Sequence, residues 1–168
     1  MSDPSPANAT PEASEGKGPP DGAARRRAMA AMASADSALL NAAWDGLGDK
    51  PDWDWLRRPE CGLVMVRGRI GGAGAPFNLG EVTVTRCAVS LATGAAGFAW
   101  IMGRDGEKAR LAALFDALWQ DEARRDEIER AIVSPALKAQ QTADRTTAEQ
   151  TAATRVDFFT MVRGEDEE

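Results

Sequence analysis

Residues 81–119, EVTVTRCAVSLATGAAGFAWIMGRDGEKARLAALFDALW, decide the fold of this chain. The Val- and Thr-rich run of residues 81–91 favours a strand, and a Thr-Gly pair then indicates a turn. Residues 97–102 alternate apolar side chains and predict a second strand. After Asp105, large apolar residues recur every three or four positions, which predicts a helix that buries one stripe. They are Leu111, Leu114, Phe115, Leu118 and Trp119.

The segment before this stretch adds further strands. Residues 53–57 follow a proline and predict a short strand, and residues 63–70 predict a longer one. In the longer strand, Val64, Val66 and Ile70 lie on one face, and Met65, Arg67 and Arg69 lie on the other. Residues 71–80 form a glycine-rich turn region. Consecutive strands joined by short turns predict an antiparallel meander.

Helices flank the sheet on both sides in the sequence. Residues 23–33 and a second helix capped by Asp36 open the ordered part. Near the other end, Pro135 predicts the start of a helix over 136–154 whose one large apolar side chain is Leu137. Such a helix is either solvated or lies on another subunit through its alanines, among them Ala139, Ala143 and Ala148.

The fold class that follows is α+β. We expect an antiparallel sheet of three to five strands, an N-terminal helical pair, one long packing helix, C-terminal helices and a final strand. Residues 1–22 hold five of the nine prolines and are predicted to be a disordered tail. Residues 23–168 are predicted to form a single domain with an interaction-prone C-terminal part.

The composition predicts a thin hydrophobic core. Of the 168 residues, 32 are Ala, whereas Leu, Ile, Val and Phe together number 28. Alanine offers little apolar area for burial. A thin core is typical of a chain that buries part of its apolar surface against a partner.

The residue types present exclude several classes of chemistry. The chain has no His, which removes the usual general base near neutral pH and the commonest metal ligand. Its net charge of −6 is unfavourable for nucleic-acid binding. Cys61 and Cys87 lack metal-ligand spacing and predict free thiols. We find no signal peptide and no apolar run long enough for a membrane helix, so we expect a cytoplasmic protein.

A few residues are candidates for binding an anion or a partner. Arg67, Arg69, Arg86 and Arg104 lie on or beside predicted strands, where they either pair with nearby carboxylates or present guanidinium groups to an anion or another subunit. Gly71 and Gly72 are either a structural connection or a loop that lets backbone amides approach a ligand. Asp105 is a candidate for the same site, although N-capping alone explains an Asp there.

A second candidate site is the run RVDFFTMVR at residues 155–163. An apolar strand left exposed promotes aggregation, so this segment either joins the sheet or is captured by a partner. Phe158 and Phe159 are then two faces of one buried strand or aromatic anchors of an interface. The candidate interface residues are Arg155, Asp157, Phe158, Phe159, Met161 and Arg163.

Four segments together resemble the PhnG family of the carbon–phosphorus lyase system. They are GLVMVRGRIGGAG at 62–74, GEVTVTR at 80–86, GFAWIMGRD at 97–105 and RVDFFTMVRG at 155–164. The last of these is the most specific. The resemblance spans about residues 23–164 and is strongest at 60–120 and 155–164.

The resemblance implies a subunit of a phosphonate-degrading complex. Family members assemble with the PhnH, PhnI and PhnJ subunits, two copies of each. With a PhnL-like ATPase subunit, they transfer a phosphonate onto the ribose of MgATP, release adenine and form α-D-ribose 1-methylphosphonate 5-triphosphate. The G subunit is implied to be structural or accessory. It holds no cofactor of its own, because the iron–sulfur cluster and S-adenosylmethionine belong to another subunit.

Two other functions stay open on the residues alone. One is an independent anion- or nucleotide-binding protein that uses the four arginines. The other is a scaffold that contacts no ligand.

Overall fold

The computed structural model describes residues 22–70 and 74–154. Two helices, α1 (Gly22–Ser34) and α2 (Ser37–Gly46), precede three strands, β1 (Trp53–Arg69), β2 (Pro76–Leu91) and β3 (Ala96–Met102). Helices α3 (Gly106–Trp119) and α4 (Glu122–Ile128), a π-helical turn (Glu129–Val133) and α5 (Ser134–Ala153) complete the described chain. The α+β class is confirmed. The predicted final strand and the tail at residues 1–21 lie outside the described residues.

The strands form one antiparallel sheet in the order β1-β2-β3, as the meander predicts. The two strands predicted at 53–57 and 63–70 are one strand of 17 residues. Pro59 lies within the register shift between Arg57 and Glu60, on a strand at the sheet edge. Proline is tolerated at edge strands and bulges, so it bends β1 there without ending it. Likewise, the turn predicted over 71–80 is shorter, because β2 begins at Pro76.

Helix α3 packs on one face of the sheet, as its apolar stripe predicts. Its five large stripe residues are at most 2% exposed, and Val89 and Ile101 of the sheet are buried with them. The helix approaches β3 closely at Gly97, where a Cβ atom would lie 1.9 Å from the carbonyl oxygen of Ala113. Glycine at this position therefore sets the distance between helix and sheet.

Helix α1 is joined to α3 and to the edge of β3 by a partly buried ion pair. Arg25 donates from Nε and Nη2 to the carboxylate of Asp116 at 2.9 and 2.7 Å. The same carboxylate accepts the backbone N–H of Phe98 at 2.9 Å. Asp116 is 1% exposed, and a buried carboxylate requires hydrogen-bond donors in place of water. These three donors meet that requirement.

The core is built largely from small side chains. Ten of the 26 buried hydrophobic residues in the described chain are alanines. Larger side chains from α1, α2 and the π-helical turn, such as Met32, Leu40 and Ile132, extend the cluster. The compositional prediction of a thin core corresponds to this Ala-rich packing.

Candidate subunit interface

The β1–β2 hairpin extends beyond the rest of the sheet. The last residue pair between β2 and β3 is Val84 with Met102, whereas β1 and β2 continue pairing from Leu63↔Thr83 to Arg69↔Pro76. We call residues 63–70 and 74–83 the hairpin arm. At about 3.3 Å per residue, its two-stranded part is about 20 Å long.

Large apolar side chains are exposed on both faces of the hairpin arm. Leu63 and Met65 point to the side that α3 covers further down the sheet, and Val64 and Phe77 point to the opposite side. Leu63 is 63% exposed, and Leu79, at a shift in the register, is 66% exposed. Soluble chains rarely leave such a contiguous apolar surface in water unless it binds a partner.

The apolar exposure continues onto the sheet face that lies opposite α3. Phe98, Trp100 and Met102 alternate along β3, and Met102 is 75% exposed. All ten exposed large hydrophobic residues of the described chain lie in or next to the three strands. They are Leu56, Leu63, Val64, Met65, Ile70, Phe77, Leu79, Phe98, Trp100 and Met102. The described helices bury or half-bury their large apolar side chains, whereas those of the sheet are exposed in large part.

Arg86, one of the four candidate arginines, is engaged within the sheet. Its Nε donates to Glu60 Oε1 at 2.7 Å, and its guanidinium lies 5.4 Å from the ring centre of Trp100. Arg57 donates to the same carboxylate oxygen. Hydrogen bonds from Arg57 and then Arg86 lower the pKa of Glu60. Arg86 is therefore paired with a nearby carboxylate of its own chain, which is one of the two interpretations that the sequence left open.

The other candidate arginines lie apart from Arg86. Arg67 pairs with Asn78, eight residues before Arg86 on β2, so the two side chains start about 25 Å apart. Arg69 lies beside Arg67 and donates to the carbonyl oxygen of Gly74 at 3.0 Å. Arg104 follows the end of β3, where the neighbouring Gly103 donates its backbone N–H to the carbonyl oxygen of Thr83, about five residues along β2 from the partner of Arg67. The four arginines thus do not form one cluster, and Gly71 and Gly72 lie outside the described residues.

Asp105 caps helix α3, as its position predicts. Its Oδ1 accepts the backbone N–H of Lys108 at 2.9 Å, and its Oδ2 accepts the hydroxyl of Ser37 at 3.0 Å. These donors, the Lys108 amide foremost, lower the pKa of Asp105. The residue joins the starts of α2 and α3, which accounts for an Asp here without a ligand.

Helix α5 is the second projecting element. Ala136 in its first turn is buried, but every residue from Lys138 to Thr154 is exposed. The described part of the chain therefore leaves most of the helix uncovered. Residues 155–163, which hold Arg155, Asp157, Phe158, Phe159, Met161 and Arg163, follow it directly and lie outside the described residues.

The sequence matches the family described as "Phosphonate metabolism protein PhnG" over residues 23–164. It is also 54% identical to a curated protein of Rhizobium meliloti (strain 1021), named α-D-ribose 1-methylphosphonate 5-triphosphate synthase subunit PhnG. The alignment of 144 residues covers 86% of this chain and 92% of the relative. The chain belongs to the PhnG family. The resemblance carried by the four sequence segments is thereby confirmed.

Two features of the PhnG chain bear on metal binding and thiol chemistry, in the part that the structure describes. Within residues 22–70 and 74–154, no group of three or more His, Cys, Asp or Glu side chains is placed to hold a metal ion. Burial raises the pKa of the Cys87 thiol to about 11, which keeps it protonated at neutral pH. Over the same residues, no helix is long and apolar enough to cross a membrane.

Sequence reasoning missed the exposed hairpin arm of this PhnG chain as a candidate interface. The pattern at 63–70 predicts two distinct faces, but it does not tell which face a helix covers. One signal was present: Leu63, Val64, Met65 and Val66 are consecutive apolar residues, so both faces of the strand are apolar. A run of this kind requires cover on both sides.

Proposed function

We propose that this chain is the G subunit of α-D-ribose 1-methylphosphonate 5-triphosphate synthase. The complex transfers a phosphonate onto the ribose of MgATP and releases adenine. The observation that carries the proposal is the 54% identity to a subunit of that synthase over most of both chains. Because MgATP is an intracellular substrate, the proposal places the protein in the cytoplasm.

The role that we propose within the synthase is structural or accessory rather than catalytic. Support comes from the chemistry of the chain: it has no His, its buried thiol is protonated, and Arg86 is already paired with Glu60. The exposed apolar arm and the uncovered α5 are features of a subunit that is completed by its partners. MgATP is then a substrate of the complex, while the iron–sulfur cluster and S-adenosylmethionine belong to another subunit.

The partners in this proposal are the PhnH, PhnI and PhnJ subunits, two copies of each, together with a PhnL-like ATPase subunit. Helix α5 and residues 155–163 contact the I subunit. This assignment is supported by the exposure of α5 over residues 138–154 and by the apolar run that follows it.

Co-expression of this chain with the H, I and J subunits tests the proposal. Size-exclusion chromatography, with subunit masses measured on the eluted peak, is expected to give a single complex with equal copies of all four. Elution of this chain alone, folded and monomeric, would overturn the proposal.

A truncation tests the contact with the I subunit. Removal of residues 155–168 is expected to abolish co-purification with the I subunit, because it deletes the apolar run. Removal of residues 1–21 is the matched control, since this segment precedes α1 and the family match begins at residue 23. Retained assembly after the C-terminal truncation would contradict the assignment.

The alternative of an independent nucleotide-binding protein has less support. Its four arginines are distributed along about 25 Å of sheet, too far apart to grip one phosphate group. Titration of MgATP into the isolated chain distinguishes the two, because the alternative expects saturable binding and the subunit proposal expects none.

A further inference from the structure

We propose that the hairpin arm inserts into a two-sided apolar cleft of another synthase subunit, and that carboxylates at the closed end of this cleft bind Arg67 and Arg69. This inference rests on the proposed function and extends it. It assigns the contact to residues 63–70 and 74–83, a part of the chain distinct from α5 and the C-terminal run.

The first step is the marginal stability of the arm as an isolated ribbon. Beyond Val84 and Met102, β1 and β2 pair only with each other. A two-stranded hairpin gains too little burial to be stable in water without packing against something else. The apolar side chains of the arm that could pack are exposed to the rest of the described chain, and the proposal assigns their cover to another molecule.

The second step is that both faces need cover. Leu63 and Met65 lie on one face, and Val64 and Phe77 on the other. A flat partner surface would cover one face and leave the second in water. A cleft covers both, and its two walls would exclude water from four or more large apolar side chains.

The third step is the charge at the tip. Within the described chain, Arg67 has no hydrogen bond or ion pair, and Arg69 donates to one backbone carbonyl. The arm's own carboxylate, Glu81, pairs across the ladder with Met65 and lies nearer the base. A guanidinium group that enters a buried site requires an anionic acceptor, which a carboxylate provides with matching geometry.

The charge also argues against a second copy of this chain as the occupant. A symmetric arm-to-arm contact places the same patch on both sides of the two-fold axis. The two arms would together contribute four arginines but only the two Glu81 carboxylates, so positive charge would be in excess. A different polypeptide with acidic residues avoids this repulsion.

The experiment uses the co-expressed synthase and single substitutions that introduce a charge. Leu63→Asp and Leu79→Asp alter the arm at side chains that are 63% and 66% exposed, so the fold of the chain is retained. Leu56→Asp is the matched control, because Leu56 is 59% exposed but lies in the part of β1 below the arm. Circular dichroism melts of the isolated chains verify that all three variants fold as the parent does.

We expect both arm variants to associate with the other subunits at least about tenfold more weakly, since a carboxylate would have to be buried between apolar walls. Leu56→Asp retains association. Equal weakening by Leu56→Asp would overturn insertion of the arm in favour of a general apolar contact of the sheet. Retained association of both arm variants would overturn it as well.

The arginines are tested by charge reversal. The double variant Arg67→Glu and Arg69→Glu is expected to weaken association, and the double Lys variant to retain much of it. If the glutamate pair assembles normally and instead weakens MgATP binding to the complex, the tip contacts nucleotide, and the carboxylate assignment is wrong.

Two failures are distinguishable. If the parent chain does not co-elute with the synthase subunits, the proposed function fails. If the parent co-elutes and the arm variants do so equally well, the docking of the arm fails alone. A parent chain that dimerises by itself, while Leu63→Asp is monomeric, would identify a second copy as the occupant and overturn the proposal.

Discussion

Asp116 shows how one buried charge joins three elements. Asp116 lies on α3. Its carboxylate accepts two hydrogen bonds from Arg25 of α1 and one from the backbone N–H of Phe98 in β3. The carboxylate also satisfies a backbone N–H at the edge of the sheet, which would otherwise be buried without a partner. The residue fixes the position of α1 against the edge of β3.

Substitution of Asp116 by Ala is therefore expected to be costly. The change removes the carboxylate acceptor of the Arg25 guanidinium, which keeps the carbonyl oxygen of Ala96 at 3.3 Å, and it removes the acceptor of the Phe98 amide. We expect a loss of about 3 kcal/mol in the free energy of unfolding. Urea denaturation followed by circular dichroism measures it. Arg145→Ala, which removes an exposed ion pair with Glu149 on α5, is the control and should cost less than about 0.5 kcal/mol. Similar losses in the two variants would contradict the role of Asp116.

Asp105 makes a pH-dependent contribution to stability. The amide of Lys108 and the hydroxyl of Ser37 favour the ionised form, so the folded-state pKa lies below that of the unfolded chain. The contribution is complete above the unfolded pKa of about 4 and is lost as the pH falls through the lower folded value. Asp105→Ala is expected to cost about 1 kcal/mol at pH 7.

Urea denaturation at pH 7 and at pH 3 tests this expectation. The difference between the parent and Asp105→Ala should become smaller at pH 3, where the carboxyl of the parent begins to be protonated. Asp105→Asn is the control, because it keeps an acceptor for the Lys108 amide but cannot ionise. A difference that is equal at both pH values would show that the charge of Asp105 contributes nothing.

At the scale of elements, the approach of α3 to β3 depends on Gly97. A Cβ atom there would lie 1.9 Å from the Ala113 carbonyl oxygen and 2.7 Å from the Ala117 amide nitrogen. Both are backbone atoms of α3, so the helix as a whole has to move. We expect Gly97→Ala to reduce the free energy of unfolding by about 3 kcal/mol. Gly62→Ala is the control, because its Cβ would meet nothing within 4 Å, and an equal loss there would contradict the argument.

The elements differ in how far the sequence predicts them. Helix α3 follows from its stripe of large apolar residues, since burial on one face imposes the three-to-four spacing. Strand β1 was predicted as two pieces, because Pro59 is a strand breaker except at an edge or a bulge, and edge position depends on the whole sheet. Exposure of the arm is not predictable locally either, since it depends on where β3 and α3 end.

The residues of the candidate site also differ in how well the sequence predicts their positions. Capping by Asp105 was predicted from the residues around it, because a cap is a local interaction. The grouping of Arg67, Arg69, Arg86 and Arg104 depended on strand register over some twenty residues, which periodicity does not fix. The roles of Arg155, Asp157, Phe158, Phe159, Met161 and Arg163 stay predictions, as these residues lie outside the described ones.

At the scale of the whole molecule, the part of the chain that the structure describes divides into a packed body and two projecting elements, the hairpin arm and α5. The body contains α1 to α4, the π-helical turn, β3 and the adjoining part of β2, where burial is concentrated. Because stability varies with local packing, the arm and α5 should open far more often than the body in the isolated chain. Assembly should then reduce this opening wherever a partner covers the backbone.

Hydrogen–deuterium exchange of the isolated chain and of the assembled complex tests this division. In the isolated chain, amides of residues 63–83 and 138–154 are expected to exchange at least about a hundredfold faster than those of α3, which corresponds to about 3 kcal/mol less local stability. In the complex, residues 63–83 should become protected, while the body changes little. Slow exchange of the arm in the isolated chain would show that it is stable without a partner, and the argument from its exposed apolar faces would then be wrong.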